Sequence, residues 1–220
     1  MPGLRGTRKG EAEVRLLPER REAAPARGPA RSLQEADLEL PAELLDELWR
    51  PEYLERLAHA YWRYLRRISL GLLRVIYEPT ARSIVLVGRP LVLLRFRAPE
   101  YVTPPGMGQV TWPIERGVLV TPEGRGRGYL RIKVRRLEGA REGRAVVRVS
   151  SEVANFYPLL RFGGPLARLG ARFYSATQLR IHVWVTHGFL RSLARLDLPP
   201  SPVGALAARP QAGEEDGPRA

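Results

Sequence analysis

The spacing of apolar residues changes near residue 70, and this change constrains the fold more than any other feature of the chain. Before it, apolar residues recur at gaps of three and four along 54–68, which is typical of one face of an amphipathic helix. After it, apolar and polar residues alternate along 129–136 and 145–153. Such alternation is typical of antiparallel strands with one buried face. We therefore predict helix first and sheet afterwards.

Turn residues divide the middle of the chain into short strands. Glycine and proline separate the apolar runs, for example at 88–90 and 103–106, and these residues favour turns. A hairpin is expected around 115–117. In total we expect six or seven strands, at 72–77, 84–87, 91–96, 109–114, 117–121, 129–136 and 145–153.

Helices are predicted on both sides of these strands. Pro41 and Pro51 suit first helical turns and are followed by acidic residues, so a helix pair is expected after residue 40. After Pro165, near-helical spacing predicts a long or broken helix over 165–196, with Gly170 and Gly188 as break points. Alternation at 179–185 leaves a strand as the alternative there.

These elements together predict an α+β fold. It would be a six- to seven-stranded antiparallel meander sheet, flanked by an N-terminal helix pair and a long C-terminal helix. This order resembles the helix-grip architecture of START-like and polyketide-cyclase-like proteins. The resemblance lies in element order, and it implies a cavity between the sheet and the C-terminal helix.

Composition divides the chain into three parts. Residues 1–37 are basic and proline-rich with little periodicity, so we expect them to be disordered or loosely attached, apart from a short strand at 13–17. Residues 38–197 are expected to form one domain. The tail 198–220, which is rich in Pro, Gly and Ala and ends in an acidic cluster, is expected to be disordered.

Positive charge is concentrated in the central part. The formal net charge is +13, and all but two of the basic residues are arginine. A basic patch is predicted on one sheet face, formed by Arg131, Lys133, Arg135 and Arg148. It would attract nucleic acid or an anionic membrane weakly, because only Tyr129 offers a ring to a base there. Codon bias is the alternative explanation of the arginine excess.

The sequence also excludes several classes of site. There is no cysteine, so disulfides, thiolate metal sites and a cysteine nucleophile are excluded. No signal peptide and no apolar stretch long enough for a membrane span is found, so a cytoplasmic location is expected. No phosphate-loop or hydrolase motif is present. His182 and His187 are spaced unsuitably for one metal ion, and no metal or other cofactor is expected.

Three residues are candidates for catalysis: Glu152 and Tyr157 near the end of the last strand, and His182 in the predicted C-terminal helix, where a polar residue at the rim of the core is the alternative. Glu152 is a candidate general base, Tyr157 a hydrogen-bond donor and His182 a second base. The alternative is that they cap a helix or satisfy backbone groups. Whether the protein is an enzyme is left open by the sequence.

Aromatic residues beside the sheet suggest a binding cavity, although a solid core would use them equally well. The candidate ligand-binding residues are Trp112, Asn155, Phe156, Phe173 and Trp184. The first hypothesis is binding of a largely apolar, lipid- or polyketide-like small molecule. The alternatives are a basic surface module and an enzyme acting on such a ligand through Glu152, Tyr157 and His182. Oligomeric state is left open.

Overall fold

A computed structural model describes residues 12–18, 20–22, 30–78, 80–87, 91–120, 124–156, 183–198 and 200. Three strands come first: β1 Glu13–Leu16, β2 Arg20–Glu22 and β3 Ala30–Pro41. Helices α1 Ala42–Leu48 and α2 Pro51–Ile68 follow. The remaining strands are β4 Leu73–Tyr77, β5 Ala81–Leu86, β6 Leu91–Arg97, β7 Glu100–Val102, β8 Met107–Arg116, β9 Tyr129–Leu137 and β10 Arg144–Phe156. Residues 183–192 are helical, followed by a 3-10 turn at Leu193–Arg195.

The strands form one ten-stranded antiparallel sheet in the order β1-β3-β10-β9-β8-β6-β5-β4, with β2 on β3 and β7 on β8. From β4 to β10 the chain meanders between neighbouring strands, and α2 packs across the sheet against β4 and β8. The predicted α+β fold with a large antiparallel sheet is confirmed. The sheet is larger than expected because the N-terminal strands join it.

Strand β3 lies inside the sheet, between β1 and β10, although composition assigned residues 30–37 to the N-terminal segment. The folded part therefore begins before residue 38. The pattern was hard to recognise because the face that shares Leu38 and Leu40 also carries Ser32 and Gln34, which are buried. The predicted strand at 13–17 corresponds to β1. Residues 1–11 and 201–220 lie outside the described residues.

The predicted strand at 117–121 does not form. Strand β8 ends at Arg116, and Gly117 turns the chain with a φ of +153°. A Cβ on Gly117 would lie 2.2 Å from the carbonyl oxygen of Leu93, so the turn requires a residue without a side chain. Beyond it, Val120 makes only an isolated bridge.

An aromatic cluster fills the centre of the molecule. Trp62 on α2 packs edge-on against Trp112 on β8, with ring centroids 5.0 Å apart, and contacts Phe96 on β6 at 5.5 Å. Tyr61 meets Phe189 of the last helix at 5.1 Å. Such tilted and edge-on pairs are favourable ring geometries. Here the sheet and helices share a solid core.

Of the predicted helix over 165–196, the described residues 183–192 are α-helical, whereas Leu193–Arg195 form a 3-10 turn and Leu196 has a left-handed backbone. The alternative strand is therefore wrong for residues 183–185, and the remainder of both predictions lies outside the described residues. Gly188 was expected to break the helix, but the helix continues through it. The described helices include none that is long and apolar enough to span a membrane.

Candidate functional site

A cavity of about 500 Å³ lies at the corner where the α1–α2 junction meets the sheet. Its floor comes from strands β3, β8, β9 and β10, and its opposite walls come from the two helices and residues 193–198. The described lining residues are mostly aliphatic. They are Leu38, Leu40, Leu45, Leu48, Trp49, Arg50, Pro51, Tyr53, Leu54, Leu57, Thr103, Pro104, Pro105, Met107, Gly108, Val134, Val147, Val149, Leu193, Leu196 and Leu198.

Strand register produces the apolar floor. Val147 of β10 pairs with Leu38 of β3, and Val149 pairs with Val134 of β9. Because side chains alternate between the two faces of a sheet, these residues point to the same side. Gly108 on β8 completes the floor: a Cβ there would lie 3.0 Å from a methyl group of Val134. The glycine at this position therefore lets Val134 and Leu54 pack closely over the strand.

A break between two helices shapes the upper wall. Helix α1 ends at Leu48, Arg50 is extended, and Pro51 starts α2. Proline fits the first helical turn because its missing N–H has no partner to lose there. The break directs Leu45 of α1 and Leu54 of α2 towards the same space.

The last described residues close another side of the cavity. Leu196 has a left-handed backbone, with a φ of 47°, and the chain then runs beside α2. The Arg56 Nε donates a hydrogen bond of 2.8 Å to the carbonyl oxygen of Leu198, while the Arg56 guanidinium lies 4.8 Å from the centre of the Tyr53 ring. These contacts hold Leu198 at the cavity wall.

Arg50 gives the cavity its polar end. Among the described lining residues it is the one charged side chain. It is solvent-exposed and makes no ion pair with the described part of the chain. Nearby on α1, Asp46 is paired with Arg136 at 2.8 Å. The cavity therefore combines an apolar interior with one free cation at its edge.

The predicted ligand-binding residues do not gather at this cavity. Trp112 is buried in the aromatic cluster and Trp184 is 63% exposed. Neither belongs to the described lining. Asn155 and Phe156 lie at the end of β10, and their side chains are outside the described set, as is Phe173.

Glu152 lies on the face of β10 opposite to Val147 and Val149, away from the cavity. Its buried carboxylate accepts hydrogen bonds from Arg31 at 2.8 Å, Tyr129 at 3.2 Å and Arg131 at 3.5 Å. These contacts join β3, β9 and β10, so the described role of Glu152 is cross-strand pairing. The other two catalytic candidates, Tyr157 and His182, lie outside the described residues.

The predicted basic patch does share one face of the sheet, but acids neutralise half of it. Arg148 donates two hydrogen bonds to Asp37, at 2.7 and 3.0 Å, and Arg131 is paired with Glu152. The hydrogen bonds from Arg148 hold the pKa of Asp37 below its usual value, against the opposing effect of burial. Only Lys133 and Arg135 are without an ion pair to the described residues.

Sequence reasoning missed the true cavity lining because that lining carries no motif. Its residues are mostly leucines, valines and prolines, and they come from seven elements and the loops between them. The one available signal was the Trp49-Arg50-Pro51 break between two amphipathic helices. In the described ranges, no group of three His, Asp or Glu side chains is placed to hold a metal ion.

No known family model matches the chain, and no curated protein matches it by sequence. Solved structures that resemble it include two with low similarity scores. Human STARD10 is 10% identical with a TM-score of 0.32, over 82% of this chain and 74% of that one. CalU16 from Micromonospora echinospora is 10% identical with a TM-score of 0.21, over 64% of this chain and 68% of the other. At these scores the functional assignment rests on the cavity itself.

Proposed function

We propose that this protein binds a largely apolar small molecule, lipid- or polyketide-like, in the cavity at the α1–α2 junction. The observation that carries the proposal is the cavity's volume and lining: about 500 Å³ enclosed mainly by leucine, valine and proline. Small-molecule sites have volumes of roughly 300–1,000 Å³ and are predominantly apolar with a few polar groups.

The accessible apolar lining of the cavity favours a bound ligand. The pocket is partly open to solvent, with Arg50 and Thr103 exposed in its lining, and contiguous apolar surface left accessible to water marks ligand-binding grooves. A chain that needed only a stable core could narrow this corner by replacing Val147 with a larger residue. An apolar ligand would supply the missing contacts and remove both its own surface and the wall from water.

The position of Arg50 indicates how the ligand would be oriented. An apolar chain would occupy the space between the sheet and α2, and its polar end would face Arg50 and Thr103, which are exposed lining residues. A guanidinium recognises carboxylate or phosphate oxygens with paired hydrogen bonds. The ligand best suited to this site is therefore amphiphilic, with an anionic or strongly polar end.

No contact of the described residues favours the enzyme alternative. Glu152 is held by Arg31, Arg131 and Tyr129 on the other side of the sheet, where it has no access to the cavity. Catalysis through Tyr157 and His182 stays a prediction. A cytoplasmic location also stays a prediction, which cell fractionation would test.

Two neighbouring valines of β10 provide a matched test. Val147 lines the cavity, whereas Val146 faces the opposite side of the sheet. Binding of the neutral apolar dye Nile red should weaken at least about tenfold in Val147→Phe, because the added ring occupies the cavity, and stay near wild-type in Val146→Phe. Thermal unfolding of each variant checks that it folds. Equal binding by both folded variants, or no binding by the wild type, would contradict the proposal.

A further inference from the structure

Exposed aliphatic side chains gather at the end of α2 remote from the cavity. Leu70 is 90% exposed and Leu72 is 59% exposed, which is unusual for residues in a tight turn between a helix and a strand. Four more exposed residues follow on neighbouring segments. We call the whole set the aliphatic rim: Leu70, Leu72, Val87, Leu91, Val92 and Val118.

Hydrogen bonds and strand register bring the rim together. The Val87 N–H donates to the carbonyl oxygen of Leu72 at 2.8 Å, and the Val118 N–H donates to that of Val92 at 3.1 Å. The β5–β6 pairing places Leu86 opposite Leu91 and Val85 opposite Val92. The rim therefore occupies one end of the sheet, where Leu91 and Val92, which are consecutive in β6, expose apolar side chains on its two faces. Contiguous exposed apolar surface marks sites of interaction with a partner or a membrane.

Positive charge predominates around the rim. Residues 56–99 contain nine arginines and a single acid, Glu78, and that acid is bound by Arg95 through two hydrogen bonds of 2.8 and 3.1 Å. Arg66, Arg67 and Arg74 are exposed and form no ion pair with the described residues. Beside the rim, these three arginines thus carry positive charge that no acid of the described residues compensates.

From this combination we infer that the aliphatic rim and its arginines dock on an anionic lipid bilayer. Aliphatic side chains enter the boundary between head groups and acyl chains. Each arginine at the surface gains from the negative potential of anionic lipids, and its long stem lets the guanidinium reach the head groups. The surface would hold the protein peripherally, without a membrane-spanning helix.

Other partners fit this surface less well. A second copy would bring Arg66, Arg67 and Arg74 against the same arginines, and like charges in one interface are unfavourable. Nucleic acid would use the charge but not the aliphatic residues, since base contact depends on aromatic stacking, and the rim as defined contains no aromatic side chain. A bilayer uses both features.

The docking surface and the cavity are separate sites. Helix α2 has 18 residues and is therefore about 27 Å long. Arg50 stands before its first turn, and Leu70 follows its last. Docking by the rim would leave the cavity edge open to solvent. The inference is therefore independent of the proposed ligand, and either can fail alone.

Vesicle co-sedimentation tests the inference, with phosphatidylcholine vesicles compared with phosphatidylcholine–phosphatidylglycerol vesicles. Wild-type protein should bind the mixed vesicles and release them at high salt. Replacing Arg66 and Arg67 together with glutamine should weaken binding about thirtyfold. The matched control replaces Lys133 and Arg135 with glutamine, which removes the same charge from the sheet face and should leave binding near wild-type.

A second pair of variants tests the apolar part. Leu70→Asn suits the fold, because Leu70 has a φ of 52° and asparagine tolerates that backbone, yet it should weaken vesicle binding. Val102→Asn, at another exposed position, should not. The inference is overturned if wild-type protein does not bind mixed vesicles, or if the Lys133/Arg135 variant loses as much binding as the Arg66/Arg67 variant. A wild-type dimer that Leu70→Asn converts to a monomer would also overturn it and assign the rim to self-association.

Discussion

Gly188 lies directly against Tyr64: a Cβ on Gly188 would be 1.9 Å from the Tyr64 hydroxyl oxygen and 2.9 Å from Cζ. This contact explains why a helix-weakening residue stands inside the last helix. It lets that helix approach α2 closely, beside the contact between Tyr64 and Phe189 at 6.2 Å.

Gly188→Ala should therefore lower the free energy of unfolding in wild-type protein, because the Tyr64 ring must leave its site. In a Tyr64→Ala background the same change should raise it by up to about 1 kcal/mol, since alanine is the better helix former. Chemical denaturation of the four proteins in this double-mutant cycle measures the reversal. A Gly188→Ala effect of the same sign and size in both backgrounds would show that the contact is unimportant.

Asp37→Asn should destabilise the protein by roughly 2 kcal/mol, since it removes a buried acceptor of charged hydrogen bonds. The pKa of Asp37 is lowered in the folded state, so the stabilisation is present above the usual value of 3.8 and is lost as the pH falls below it. Urea denaturation at neutral and acidic pH measures this. Glu35→Gln, on the same face of β3, is the control and should change stability little. If Asp37→Asn left the free energy of unfolding unchanged, the stabilising role of this ion pair would be disproved.

Because of His59, the free energy of unfolding should depend on pH in the mildly acidic range. Burial, with a smaller contribution from Arg63, lowers the pKa of His59 below its ordinary 6.5. Its Nδ1 lies 2.9 Å from the Tyr77 hydroxyl, and burial raises the pKa of Tyr77 to about 12, so that hydroxyl stays protonated and can donate to a neutral imidazole.

Because the unfolded chain binds the His59 proton more readily, the stabilisation is complete above pH 6.5 and decreases as the pH falls below that value. An NMR titration of the imidazole measures the pKa directly, and His59→Gln should flatten the stability profile between neutral pH and the folded-state pKa. A folded-state pKa at or above 6.5 would disprove this explanation.

Arg50 should select the ligand's polar end. Wild-type protein should bind dodecanoate more tightly than dodecanol, which differs only at the head group, by about fivefold, since an exposed ion pair contributes about 1 kcal/mol or less. Arg50→Gln should remove the preference but keep dodecanol binding, whereas Arg66→Gln should change neither. Isothermal titration calorimetry gives both affinities. If Arg50→Gln kept the preference, the head group would have to lie elsewhere.

The parts of the fold that could be predicted are those where one sheet face is uniformly apolar. In β9, Leu130 and Ile132 are buried while Arg131 and Lys133 face outwards, so alternation alone locates the strand. Strand β3 lacks this contrast, because Ser32 and Gln34 occupy buried positions. Its place in the sheet is decided by pairing with β10, and pairing between distant segments is not visible in a local pattern.

The candidate site was harder to predict than the fold. By sequence, Trp112 suited a cavity wall and a solid core equally well, and its burial and packing against Trp62 place it in the core. The cavity depends instead on the break between α1 and α2 and on the strand register that places Val134, Val147 and Val149 on one face. Both are tertiary features, and neither changes the hydrophobic pattern of the sequence.

Native mass spectrometry shows directly whether the cavity at the α1–α2 junction binds an amphiphilic molecule. Wild-type protein and the Val147→Phe variant would be incubated with a mixed lipid extract and separated from free lipid. Their masses would then be measured under native and under denaturing conditions. Under native conditions the wild-type protein should carry the additional mass of a small amphiphile, and this mass should be lost on denaturation. The folded Val147→Phe variant should not carry it. If both proteins showed only the mass of the protein chain, or if both carried the same adduct, ligand binding in this cavity would be contradicted.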